Sequence, residues 1–175
     1  MPAAYLAPCP PTPLTDYYQV GGAIEARLRD SAPTLGLLDV GALASLADAL
    51  ADGSDADQIK RIAALVPRAP AAFVGYDTDF HQFDADGGGH ALLQRWLVLL
   101  IVKNVAGTAK NAALQAAAGP LLLAVINTLN GWRPDIAGVG ELQRIAAPRP
   151  AYGPGIGIFP LAFSVPVYLP GANQR

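Results

Sequence analysis

The sequence predicts an α+β domain, a mainly antiparallel or mixed sheet with helices packed on it. Three stretches carry that reading. Trp96 to Val102 is apolar without interruption. A strand apolar on both alternating sides belongs at the centre of a sheet covered by helices. Phe159, Leu161, Phe163, Val165, Val167 and Leu169 alternate as one face of a second strand. Between these two lies an alanine-rich stretch, residues 108–129, with the length and composition of a helix.

Taken in order, residues 1–14 hold five prolines and read as an extended N-terminal arm, with the domain proper at 15–175. Thr15 is the expected cap of a helix whose buried stripe is Tyr17, Val20, Ile24 and Leu28, although Gly21-Gly22 weakens it. Residues 34–40 are short and apolar, as a strand is. Leu43, Leu46 and Leu50 suit one short amphipathic helix, and Ile59, Ile62 and Leu65 a second one capped by Ser54. Residues 71–76 read as a strand that forms a hairpin with residues 92–104, the connection between them being a polar loop ending in Gly87-Gly88-Gly89. Thr108 is placed to cap the long helix. Pro120 is expected to kink it or to open another, because proline removes a backbone donor. Asn130-Gly131 and Pro134 end it. Residues 142–146 form a weaker strand candidate. Pro160 and Pro166 on one side of the last strand suggest a sheet edge or a bulge.

The chain has 175 residues and a mass of 18.1 kDa, the size of one domain with a sizeable core. Its balance is unusual: 52% hydrophobic residues and only 15% charged, against about 25% charged in ordinary soluble domains. A mean hydropathy of +0.30 raises two readings, a membrane protein or a subunit that hides surface against partners. The longest apolar runs, residues 96–102 and 121–126, fall short of the roughly 18–20 residues that span a bilayer, so no membrane contact is expected. The N-terminus lacks a basic region followed by a long apolar stretch, and no signal peptide is expected. A net charge of −2 and a pI near 5.5 exclude a general nucleic-acid binder that works by neutralising phosphates. The single cysteine, Cys9, excludes a disulfide framework within one chain and any cysteine-rich zinc site.

Only one cluster invites an enzymatic reading: Asp77, Asp79, His81, Asp84, Asp86 and His90 in the connection between the hairpin strands. As a calcium loop begun at Asp84 it places Arg95 where a bidentate glutamate is needed. As a zinc site it lacks the helical spacing of a His-Glu-x-x-His pair. A solvated loop explains it more simply, and a metal-dependent enzyme built on it stays a minor alternative. None of the four serines lies in a nucleophile elbow. The glycines at 153, 155 and 157 precede a strand instead of opening a helix, and residues 107–110 lack phosphate-loop spacing. No catalytic residue, cofactor or metal is therefore expected. Charge is more informative as a distribution. Residues 1–86 carry twelve acids and five bases, a net −7, whereas residues 87–175 carry seven bases and two acids, a net +5. Two readings are open: chance segregation on a mixed surface, since sequence halves need not be spatial halves, or complementary patches by which one copy meets the next head to tail.

Three segments in this order resemble the tail terminator proteins of long-tailed phages, in particular those of Mu-like phages: residues 69–76 (Ala-Pro-Ala-Ala-Phe-Val-Gly-Tyr), Trp96-Leu97-Val98 continuing to Val102-Lys103-Asn104, and residues 129–134 (Leu-Asn-Gly-Trp-Arg-Pro). With the closing strand the resemblance spans roughly residues 16–169. It implies a small ring-forming structural subunit without catalytic residues. In that family a hexameric ring caps the last layer of the tail tube, stops its polymerisation and joins the tail to a head-proximal neck or connector protein. The implied setting is the tail–head junction of a virion assembled in the host cytoplasm, with DNA only passing through the ring lumen. Another neck or tail-completion ring protein is the nearest alternative. Independently of the family, Gly131 suits the left-handed position after a helix, Pro134 blocks continuation, and Trp132 suits core packing. Phe80 and Phe83 are aromatics in a polar stretch. With His81, Asp84 and Asp86 they form the candidate contact set for a neighbouring subunit or the tube.

Overall fold

The computed structural model describes residues 12–42, 68–83, 90–103 and 111–169. Two long strands form its spine. β3 (His90–Lys103) and β6 (Ile156–Leu169) pair antiparallel over their whole lengths, from His90 opposite Leu169 to Lys103 opposite Ile156. β2 (Ala71–Phe83) pairs antiparallel on the other side of β3, and β1 (Asp39–Ala42) pairs parallel to the start of β2. Two three-residue strands, β4 (Gln143–Ile145) and β5 (Ala151–Gly153), flank β6. The result is a mixed six-stranded sheet, β1-β2-β3-β6-β4 with β5 also on β6. The helices among the described residues are α1 (Gln19–Leu35) and α2 (Asn111–Leu129). A single α+β domain is thus observed.

Strand alternation decides which side chains form the core. Leu92, Trp96, Val98, Leu100 and Val102 of β3 and Phe159, Leu161, Phe163, Val165 and Val167 of β6 point to one face. There they meet Val20, Ile24 and Leu28 of α1 and Leu114, Ala118, Val125 and Leu129 of α2, all buried. The opposite face of the strands buries Ala71, Phe73, Ile101, Ile158 and Ala162. The opposite face of β3 is less covered: Leu93, Leu97 and Leu99 are half-buried there, and both described helices lie on the other face.

Several local expectations change. α1 starts at Gln19, not after Thr15, because residues 15–18 form a polar turn. In it Asp16 Oδ1 accepts the Tyr18 N–H at 3.0 Å, and the Thr15 N–H donates to Gln19 Oε1 at 2.9 Å. Tyr17 consequently lies outside the helix. The apolar run at 34–40 is divided: Leu35 closes α1, Gly36 stops it at φ 70°, and only β1 is strand. Pro120 neither ends α2 nor opens another helix; one helix runs from Asn111 to Leu129. The polar connection after Tyr76 is largely strand. β2 absorbs Asp77 as an irregularity between Tyr76 and Thr78 and stays paired with β3 as far as Phe83, opposite His90. The helices expected within residues 43–66, and Thr108, lie outside the described residues.

β6 is interior, not an edge, and hydrogen-bond direction explains how it keeps two prolines. The Tyr168 N–H donates to Gly138 O at 2.7 Å, and the Gly140 N–H to Pro166 O at 2.8 Å. Even-numbered residues of β6 therefore direct their backbone groups away from β3. Pro160 falls between the stretches paired to β5 and β4, and Pro166 faces residues 138–140 through its carbonyl. Neither proline costs a bond in the β3 ladder.

α2 is long and apolar enough to cross a membrane by length and composition. In this fold its buried stripe packs on β3, β6 and α1.

α1 comes close to the sheet at Gly21. A Cβ there would lie 2.3 Å from the Trp96 ring, whereas one on Gly22 meets nothing within 4 Å. Gly21→Ala is expected to cost about 1–3 kcal/mol through overpacking. Gly22→Ala is expected to gain about 0.5–1 kcal/mol of helix propensity. Urea unfolding of the two variants checks this, and equal stabilities would contradict the assigned seat of Trp96.

Candidate functional site

The fold sorts charge in space as well as in sequence. The sheet order places β1 and β2 from the first half of the chain on one side and β3, β6, β4 and β5 from the second half on the other. α1 packs over β1 and β2, and α2 over β3 and β6, so among the described residues the elements of the acidic sequence half and those of the basic half lie on two sides of the domain. The divide runs through the β2–β3 ladder, and side chains also meet across it. Arg95 Nε lies 2.9 Å from Asp77 Oδ2, an ion contact without hydrogen-bond alignment, and Arg95 also donates to Ala146 O at 3.3 Å. The Arg27 guanidinium sits 5.8 Å from the centre of the Trp132 ring.

On the acidic side the end of β2 meets the start of α1 in an aromatic group. Tyr17, Tyr18 and Tyr76 contact one another edge to face, and Tyr76 continues to Trp96. The Tyr17 hydroxyl donates to Asp79. Beneath it, buried Gln94 accepts the Trp96 indole N–H at 3.2 Å and donates to Tyr17 O at 3.0 Å. One core glutamine thus satisfies two groups that the apolar face would otherwise leave unpaired. Burial of the Tyr17 phenol, reinforced by its bond to Asp79 and by Tyr76, raises its pKa well above the ordinary tyrosine value.

The turn after α2 is tied on every side. Gly131 has φ 79° and donates its N–H to Leu142 O at 2.8 Å. The Leu142 N–H returns to Trp132 O at 2.9 Å, and Asn130 Oδ1 accepts the Arg144 N–H at 2.9 Å. Trp132 is half-buried against the core, and Pro134 is buried. These bonds close the outer side of β4 and fix it to the end of α2.

Of the candidate contact residues, Phe80, His81 and Phe83 lie on β2, opposite Leu93, Leu92 and His90. Phe80 is 56% exposed. Asp84 and Asp86 lie outside the described residues. Among the described residues no group of three His, Cys, Asp or Glu side chains is arranged to hold a metal ion. The network of Tyr17, Asp79, Gln94 and Trp96 was not identified from the sequence. Its one signal there was Gly21, since a glycine inside a helical pattern marks close approach.

The model of the family "Phage tail terminator protein" matches residues 14–174, and the chain belongs to that family. It is a structural protein of the phage tail and virion. Among solved structures, a chain in the virion of a native gene transfer agent particle is similar at 18% identity and a TM-score of 0.46, covering 88% of this chain and 100% of that one. The chain has no significant match among curated proteins.

The raised Tyr17 pKa means that the folded state holds the neutral phenol. That contribution to stability is complete below the ordinary tyrosine pKa of about 10 and is lost as pH rises through the higher folded value. In an alkaline titration followed by tyrosinate absorbance, Tyr17 should give a late component above the ordinary tyrosine range. Tyr17→Phe should remove that late component. Its persistence in the variant would show that the late group is a different tyrosine.

Proposed function

We propose that this protein terminates the phage tail by forming a ring, six subunits in the family's manner, on the last layer of the tail tube. One face of the ring matches the next tube layer, and the other offers no surface on which the tube can grow. Polymerisation stops, and the same ring receives the head-proximal neck protein at the tail–head junction. DNA passes through the lumen without being read, in keeping with a chain that carries no net positive charge. The work is done by shape and charge, and no catalytic step is assigned to any residue.

The observation that carries this reading is the family match across residues 14–174, nearly the whole chain. Two features of the molecule support it. The segregated charge gives each copy two unlike sides, as a heterologous ring contact requires. The polar networks, Gln94 with Trp96 and residues 130–132 with β4, are spent on fixing the fold.

Deleting the gene from its phage should give tails of abnormal and variable length that do not join heads, seen by negative-stain electron microscopy. Tails of normal length would overturn the terminator assignment. Purified protein supplied while tails assemble should restore both normal length and joining to heads.

A further inference from the structure

We propose that the two lateral flanks of the domain are the complementary halves of one head-to-tail contact, and that each is covered by the other flank of a second copy of this chain. The inference rests on the ring reading above and assigns the surfaces that build the ring.

The first flank is the outer face of α2 with the β4–β5 edge. α2 is apolar nearly all round, yet only Leu114, Ala118, Val125 and Leu129 are buried. Ala116, Ala117, Pro120 and Leu123 are exposed, Leu123 at 59%. Helices with this all-round character are normally covered, and an uncovered strip of this kind marks a contact. The helix lies over β6 and β3 and is linked to the short strands of the edge. Gln115 Nε2 donates to the Tyr152 hydroxyl of β5 at 2.8 Å near one end, and Asn130 holds the Arg144 N–H of β4 at the other. Arg144 therefore lies at the end of the apolar strip, and Arg149 lies in the connection between β4 and β5. Both are exposed, and among the described residues neither guanidinium makes an ion pair or hydrogen bond.

The second flank is the β1–β2 edge. β1 covers β2 only from Ala71 to Val74, so among the described residues β2 has no strand beyond it over residues 75–83. Asp77 and Asp79 lie on this open stretch with exposed Phe80, whereas Leu38, also exposed, lies beside Pro70 at the other end of β2. Apolar and acidic side chains on this flank face, on the next copy, an apolar helix and arginines, the composition of an ordinary interface centre and rim.

The edges also select the mode of contact. The β4–β5 edge does not extend a sheet: Pro148 and Pro150 interrupt it, and the Leu142 and Arg144 N–H groups are already taken. The acids on β2 repel a second β2 edge, which works against two-fold pairing. Unlike flanks on opposite sides repeat by rotation, and a rotation that closes makes a ring.

Charge reversal tests this. Arg144→Glu/Arg149→Glu makes both flanks acidic, and Asp77→Lys/Asp79→Lys makes both basic. By light scattering at low salt the wild type should assemble, and each variant alone should associate at least about tenfold more weakly. An equimolar mixture should recover assembly, because alternating copies restore every contact in a ring of even number. Variants that assemble like the wild type, or folded variants whose mixture stays apart, would overturn the flank assignment and leave the ring reading intact. A wild type that never assembles, alone or with tube protein, overturns the ring reading itself. The aspartates have partners within the chain, so if that variant fails to fold, the arginine variant and Leu123→Asp decide. Both must weaken assembly, and wild-type assembly must weaken with added salt. Assembly indifferent to all three sinks the proposal.

Discussion

The ladder between β3 and β6 is the constraint on which the rest depends. It pairs His90–Lys103 with Ile156–Leu169 along their whole lengths, and it brings the last strand of the chain back to the middle of the sheet. With that pairing made, β2 must lie outside β3, and β4 and β5 outside β6. The two helices then cover one face, each over its own half. Closing so long a sequence separation costs loop entropy, offset by the burial of Trp96, Leu100, Phe163 and their neighbours at about 1.5–3 kcal/mol per fully buried large apolar side chain.

The same constraint converts a sequence asymmetry into a spatial one. Had the last strand joined the sheet beside β1, the acidic and basic halves would have been interleaved. Instead the chain divides between β2 and β3, and each half keeps its own charge and its own exposed apolar residues. This relation also explains the composition. A chain with 52% hydrophobic residues buries much of them in one core, and α2 and the β2 edge carry part of the remainder outward.

Much of the architecture was legible in the sequence because its signals are local. The unbroken run in β3, the alternation in β6, and Gly131 with Pro134 after α2 each speak through residues close in the chain. What was misread depends on partners far away. Asp77 and Thr78 look like loop residues until β3 is placed beside them, and the polar stretch is then a strand with one irregularity. Pro160 and Pro166 suggest an edge until the direction of their missing donors is known. Thr15 carries the chemistry of a cap, but the turn led by Asp16 displaces it. The network from Tyr17 to Gln94 was invisible for the same reason: its members are far apart in the chain and meet only after α1 lies on the sheet.

The most direct test of the central claim is to image phage tails bearing this protein by cryo-electron microscopy, at a resolution that traces the strands. The account predicts one ring at the head-proximal end of each tube, every α2 and β4–β5 edge facing the β1–β2 edge of the next subunit. Copies distributed along the tube, or subunits joined in two-fold pairs through like flanks, would contradict it.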